Sequence, residues 1–150
     1  MYYTKLMKNI RTDNDMTQQD IADILNTKRT TYSGWENGID SIPLLKLNDF
    51  CNYFNLSLDY ICGLSKTKNN NKIKNNIDKI TVGNRLKEIR LKNNGTQEYI
   101  ATIIGTIQTN YSKYERGETL ILTSYIIEFA KHYNVSVDWL CDKTKDSEIK

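Results

Sequence analysis

Residues 17–38 read TQQDIADILNTKRTTYSGWENG, and residues 96–117 read TQEYIATIIGTIQTNYSKYERG. Each stretch opens with a threonine, Thr17 or Thr96, whose hydroxyl can accept from an unpaired backbone N–H of a first helical turn. Asp20 stands three residues on in the first stretch, the spacing of a capping box, and Tyr99 replaces it in the second. Ile21, Ala22, Ile24 and Leu25 follow, matched by Ile100, Ala101, Ile103 and Ile104, at the spacing of one buried helical face. Asn26 or Gly105 then breaks the pattern, because both residue types enter the left-handed region at low cost. A second short helix runs through Tyr32 and Trp35, or Tyr111 and Tyr114, and stops at Gly38 or Gly117.

The two stretches are related by a shift of 79 residues, and the relation spreads outward from them. Without a gap it pairs Ile10-Arg11 with Ile89-Arg90, and Asn55, Ser57 and Asp59 with Asn134, Ser136 and Asp138. Of 64 pairs aligned between residues 3 and 66, 22 are identical, so the chain carries a duplicated domain. The unit is too long for a solenoid repeat and suits a complete small domain. Boundaries follow at 1–65 for the first domain, 66–79 for a Lys/Asn-rich linker, 80–144 for the second domain, and 145–150 for a charged, disordered tail.

Each copy reads as five helices, and no alternating apolar pattern argues for strands, so the expected class is all-α. The first helix is placed near Lys5–Thr12 and Gly83–Leu91, with Leu6, Met7 and Ile10, or Leu86 and Ile89, inward. An extension of the second copy's first helix through Ile73, Ile77 and Ile80 is the other reading of the linker. A fourth helix should start after Asp40-Ser41, with Pro43 in its first turn and Leu44, Leu47, Cys51 and Phe54 on one face. The second copy offers Ile126, Phe129, Ala130 and Tyr133. It has Leu122 in place of Pro43, which admits a different start. Ser57 and Ser136 open a short fifth helix, with Asp59 and Asp138 near its positive end.

Two short helices joined by a tight turn, with a small alanine where they cross, describe a helix-turn-helix. The residues Gln18, Ala22, Tyr32, Ser33, Trp35, Glu36 and Gly38 resemble the Cro and lambda-repressor type (XRE-like) helix-turn-helix family. So do Gln97, Ala101, Gly105, Tyr111, Ser112, Tyr114, Glu115 and Gly117. That resemblance implies two tandem lambda-repressor-like domains, each laying the start of its third helix in the major groove of duplex DNA. By position, Lys28, Arg29 and Thr30 in copy one, and Ile107, Gln108, Thr109 and Lys113 in copy two, would face base edges. Arg29 suits guanine, Gln108 suits adenine, and Ile107 suits a thymine methyl. Gly34 stands where the family often carries a longer, DNA-reaching side chain. Gln18, Ser33 and Asn37, with Gln97, Ser112 and Arg116, would meet phosphates. The spacing of Tyr32, Trp35, Tyr111 and Tyr114 places them in the core. Glu36 and Glu115 would fix the helix end and stay off the DNA.

The resemblance implies a sequence-specific transcriptional regulator, a repressor of phage or mobile-element style. The class competing with it is a protein-interaction module, antirepressor-like or antitoxin-like, motivated by Asp13, Asp15, Asp20 and Asp23 and by Gly34. Partners expected on these readings are double-stranded DNA, a second chain or the two domains acting as an intramolecular pseudo-dimer, and a protein antagonist. A flexible 14-residue connector would span roughly 20 Å, and at most about 46 Å, enough for half-sites about 34 Å apart.

Charge and composition bound the rest. Residues 1–65 hold 6 basic and 8 acidic groups and residues 80–150 hold 10 and 9, so the excess behind the chain's net charge of +3 lies in the connector, which carries 5 Lys and Asp78 for a net of +4. No glycine-rich phosphate loop or nucleophile elbow is present, so no catalytic residues and no cofactor are expected. Cys51, Cys62 and Cys141 lack C-x-x-C spacing and His132 is the sole histidine, which argues for buried thiols in a reducing compartment and against a metal. No apolar run reaches membrane-spanning length and no signal peptide opens the chain, so the expected location is cytoplasmic, away from membranes.

Overall fold

A computed structural model describes residues 1–69 and 73–150, and among them every regular element is a helix. The chain divides into two compact units, residues 1–70 and 71–150. Unit one holds α1 (Tyr2–Asp13), α2 (Gln18–Ile24), α3 (Arg29–Glu36), α4 (Leu44–Phe54) and α5 (Leu58–Ile61). Unit two holds α6 (Lys79–Lys92), α7 (Gln97–Ile104), α8 (Gln108–Glu115), α9 (Thr123–Tyr133) and α10 (Val137–Leu140).

The caps form as their side chains dictate. Thr17 accepts from the Asp20 N–H at 3.1 Å and the Asp20 carboxylate accepts from the Thr17 N–H at 2.8 Å, completing the capping box. Thr96 accepts from Tyr99 at 3.1 Å with no reciprocal bond, since Tyr99 offers no carboxylate there. Asn26 takes φ 54° and Gly105 φ 95°, so each second helix ends where a left-handed residue is available. Pro43 proves to be the N-cap of α4 and lies outside its first turn. Leu122 fills the same role for α9, so the two fourth helices begin at equivalent places despite the proline.

Each unit closes over its own core. Met7, Ile21, Leu25, Tyr32, Leu47, Phe50 and Leu58 are fully enclosed in unit one; Leu86, Ile100, Tyr111, Ile126, Phe129 and Leu140 do the same in unit two. Ala22 and Ala101 are buried where the second and third helices meet. Leu6, Ile10 and Phe54, expected inward, are only half-buried. They line a groove of about 300 Å³ with Leu56 and Tyr60. In unit two the matching position 85 is an arginine, whose guanidinium lies 4.9 Å from the Trp139 ring centre and 2.9 Å from Asp142. All three cysteines are buried thiols.

The described parts of the connector, 66–69 and 73–79, and the tail are tied in where composition alone suggested free chain; residues 70–72 of the expected linker lie outside the described residues. Ser57, an enclosed N-cap, donates its N–H to Lys68 O at 2.6 Å, and the equivalent Ser136 donates to Ser147 O at 2.9 Å. A buried backbone N–H must find an acceptor, and any residue's carbonyl can serve, which is why polar composition gave no sign of it. Beyond residues 70–72, Ile73 N–H bonds Lys143 O, Asn75 bonds Cys141 O, and Ile77 is buried. Asp78 caps α6 through the Thr81 N–H, so that helix starts at Lys79, earlier than Gly83; it takes in Ile80 and leaves out Ile73 and Ile77.

Candidate nucleic-acid interface

The third helix of each unit, α3 or α8, is fixed on its inner face and open at its start. Tyr32 and Tyr111 are fully buried, and Trp35 and Tyr114 nearly so, which anchors the helix in the core. At its end, Glu36 is gripped by α1. Arg11 Nε and Nη2 donate to its two oxygens at 2.9 and 2.8 Å, and Nη1 donates to Met16 O at 2.8 Å. Gln18 Nε2, from the first turn of α2, adds a bond at 3.3 Å. Unit two repeats the arrangement: Arg90 meets Glu115 at 2.7 and 2.9 Å, and Gln97 donates to Glu115 at 3.1 Å. Three helices are thereby joined through one carboxylate.

The glutamate side chains are almost sealed, 1% and 2% exposed against 12% and 13% for their arginines. Burial alone would raise each carboxyl pKa, but the bidentate arginine and the glutamine together hold Glu36 and Glu115 below the ordinary range. The same pairing holds Arg11 and Arg90 above theirs. Burial, reinforced by the nearby glutamates, pushes the Tyr32 and Tyr111 phenols up, so both stay neutral. A sealed, hydrogen-bonded pair like this is expensive to break, about 3–5 kcal/mol when one partner is removed. Sequence reasoning did not pair these residues. The signal was present: arginine and glutamate recur 25 residues apart in both copies.

At the open start of α3, Lys28, Arg29 and Thr30 are exposed, and Lys28 is an N-cap that makes no side-chain cap bond. At the start of α8, Ile107 is 63% exposed, and Gln108, Thr109 and Lys113 also face solvent. A large apolar side chain held in water at such a point gains from any apolar partner, a thymine methyl included. Gln108 is pre-set: its Nε2 donates to Gln97 Oε1 at 2.8 Å, linking it through Gln97 to Glu115 and Arg90. Position 29 in unit one carries arginine instead.

The residues expected at phosphates are placed unevenly. Gln18 and Gln97 each spend one amide proton on the glutamate and keep a second. Asn37 is exposed and donates to Ser33 Oγ at 3.2 Å. Ser112 is buried and accepts from Arg116 Nη1. Arg116 is also bidentate to Glu118, at 3.0 and 3.2 Å. Gln97 and Arg116 share the wall of a cleft of about 490 Å³ with Asn84, Lys87, Arg90 and Glu118. Asn84 and Lys87 were not singled out from the sequence. They enter because the exposed side of α6 runs past the first turn of α7 and the end of α8, an arrangement only packing supplies. Gly34 has its own neighbour: Asp40 Oδ2 lies 3.0 Å from where a Cβ at that position would be.

A family model described as helix-turn-helix matches residues 7–61 and again residues 86–140, together well over half of the chain. No solved structure matches the chain. No helix among the described residues is long and apolar enough to cross a membrane.

Proposed function

Since this chain belongs to the Cro and lambda-repressor type (XRE-like) helix-turn-helix family of DNA-binding regulators, we propose that it is a sequence-specific transcriptional repressor of phage or mobile-element type. It seats α3 and α8 in the major groove and occludes polymerase. The observation that carries this reading is the polarity of α8: sealed at its end by Arg90 and Glu115, and presenting exposed Ile107, Gln108 and Thr109 at its start. Base-edge contacts fall to Lys28, Arg29 and Thr30 in unit one and to Ile107, Gln108, Thr109 and Lys113 in unit two. Phosphates fall to Gln18, Ser33, Asn37, Gln97 and Arg116, while Ser112, buried beneath Arg116, serves by holding that guanidinium.

The two recognition helices carry different side chains, so one chain acting as a pseudo-dimer reads an asymmetric operator. Selection of bound fragments from random duplex DNA, followed by footprinting, tests this. Two unlike half-sites are expected; a perfect palindrome would mean that paired chains each use one unit. Mobility shifts at 50 and 200 mM salt should show affinity falling steeply, as phosphate contacts require.

Unit one supports a second reading, a protein-interaction role for that unit, because the Asp40 carboxylate overhangs Gly34 on its third helix. A carboxylate there repels phosphates and suits a basic protein partner or antagonist. Absence of any shift, with a fragment library in excess, would favour this reading over the first.

A further inference from the structure

Arg116, the C-cap of α8, is turned back onto its own loop. Nε and Nη2 donate to the two carboxylate oxygens of Glu118 at 3.0 and 3.2 Å, and Nη1 donates to Ser112 Oγ. The forked face that matches a carboxylate is the same face that matches a phosphate. Glu118 therefore occupies the place a DNA phosphate would take. The loop that carries it is fixed: Glu118 N–H bonds Lys113 O at 3.0 Å, and Lys79 Nζ bonds Glu118 O at 3.2 Å. Unit one has Asn37 and Ile39 at these two positions, so it has no counterpart of the pair.

We propose that Glu118 is an internal counter-ion that sets the DNA affinity of unit two, holding Arg116 until a backbone phosphate displaces it. This rests on the DNA-binding reading above. Both side chains are 52% exposed, and an exposed pair is weak enough for phosphate to compete with. The carboxylate thus tunes binding without abolishing it. It cancels the charge Arg116 would deliver to DNA and leaves the salt dependence of binding shallower than the number of basic contacts suggests.

The test is Glu118→Gln in the full chain, titrated onto the selected duplex across salt concentrations, alone and with Arg116→Ala. Glu118→Gln should bind about 3- to 10-fold more tightly at low salt, with a slope of log affinity against log salt steeper by about 0.9, one phosphate's worth. With Arg116→Ala present, the same change should gain less than about twofold and leave the slope alone. Equal gains in both backgrounds would show a general field effect and overturn the counter-ion role. So would no gain in either, while the unaltered chain still binds. If neither the unaltered chain nor Glu118→Gln shifts any duplex, the DNA-binding reading fails, and the proposal with it. Thermal melts of the variants, expected to match the parent, exclude a folding effect.

Discussion

Thr4 and Gly83 occupy the same position in the two units, and they show how differently α1 and α6 pack against the third helix. A Cβ on Gly83 would lie 2.4 Å from Tyr114 O and 2.6 Å from Glu115 O, so α6 lies against the backbone of α8. Thr4 is accommodated at the same point, with its hydroxyl bonded to Met1 O at 2.7 Å. Gly117 repeats the contrast. A Cβ there would sit 2.9 Å from Ile80 Cα, whereas Gly38 meets nothing within 4 Å. Unit two is therefore the closer-packed at the end of its third helix. It also links that helix's first residue, through the Gln108–Gln97 bond, to the buried ion pair. Unit one keeps the ion pair, lacks the link, and sets Asp40 over Gly34. Shared backbone plan does not mean shared rigidity or shared surface.

The largest expected effect comes from the feature the units hold in common. Arg11→Ala or Arg90→Ala should destabilise its own unit by about 3 kcal/mol, because a sealed carboxylate is left without its partner. Each unit has one tryptophan, Trp35 or Trp139. Urea unfolding followed by fluorescence in a Trp35→Phe or Trp139→Phe background would thus assign the loss to a unit. Equal loss in both units from either mutation would refute their independence. Acid should act through the same pairs. Glu36 and Glu115 are held below the ordinary carboxyl range when folded. They therefore stabilise above the unfolded pKa and lose that contribution as pH falls through the lower, folded value. Glu36→Gln should flatten that part of the profile for unit one alone.

Next comes Gly83→Ala, expected to cost unit two about 2–3 kcal/mol, since the blocking atoms are backbone oxygens that cannot swivel aside. Thr4→Gly should cost unit one less, about 1 kcal/mol or under, as an added glycine near a helix start. Comparable losses would erase the packing contrast. Base reading should then separate the surfaces. Arg29→Ala and Gln108→Ala should each relax preference at one or two base pairs, in different half-sites, by about 1–3 kcal/mol. Relaxation in the same half-site would break the assignment of one unit to each. The smallest effect is at the caps. Asp20→Ala should cost unit one about 0.5–1 kcal/mol by removing half of its capping box, and Tyr99→Ala should not reproduce that loss through capping.

Much of this was legible beforehand, for local reasons. Ala22, Tyr32, Trp35 and their counterparts announced burial by spacing, and caps such as Thr17, Ser57 and Ser136 need only their own following turn. The exposed starts of α3 and α8 were expected from the resemblance to the helix-turn-helix family, carried over by position. What escaped was non-local. Asn84 and Lys87 join the cleft only because α6 passes there. Leu6 and Tyr60 line a groove in unit one, where their counterparts in unit two, Arg85 and Trp139, stack on each other. The connector's ends were misjudged as free because a backbone carbonyl accepts a hydrogen bond whatever its side chain.

By itself the sequence determined that this chain is all-helical, that it repeats one helix-turn-helix plan at a shift of 79, and which aromatic side chains each third helix turns into the core. Period and capping are written in neighbouring residues, so they survive without knowledge of the fold. Only the tertiary structure decided that Arg11 and Arg90 seal Glu36 and Glu115, that α6 tolerates no side chain at Gly83, and that Arg116 is already held by Glu118. Those outcomes depend on distances between helices and on which polar group reaches a partner first. The 25-residue spacing of arginine and glutamate shared by the two copies flags that pair, but spacing fixes neither a distance nor a first partner.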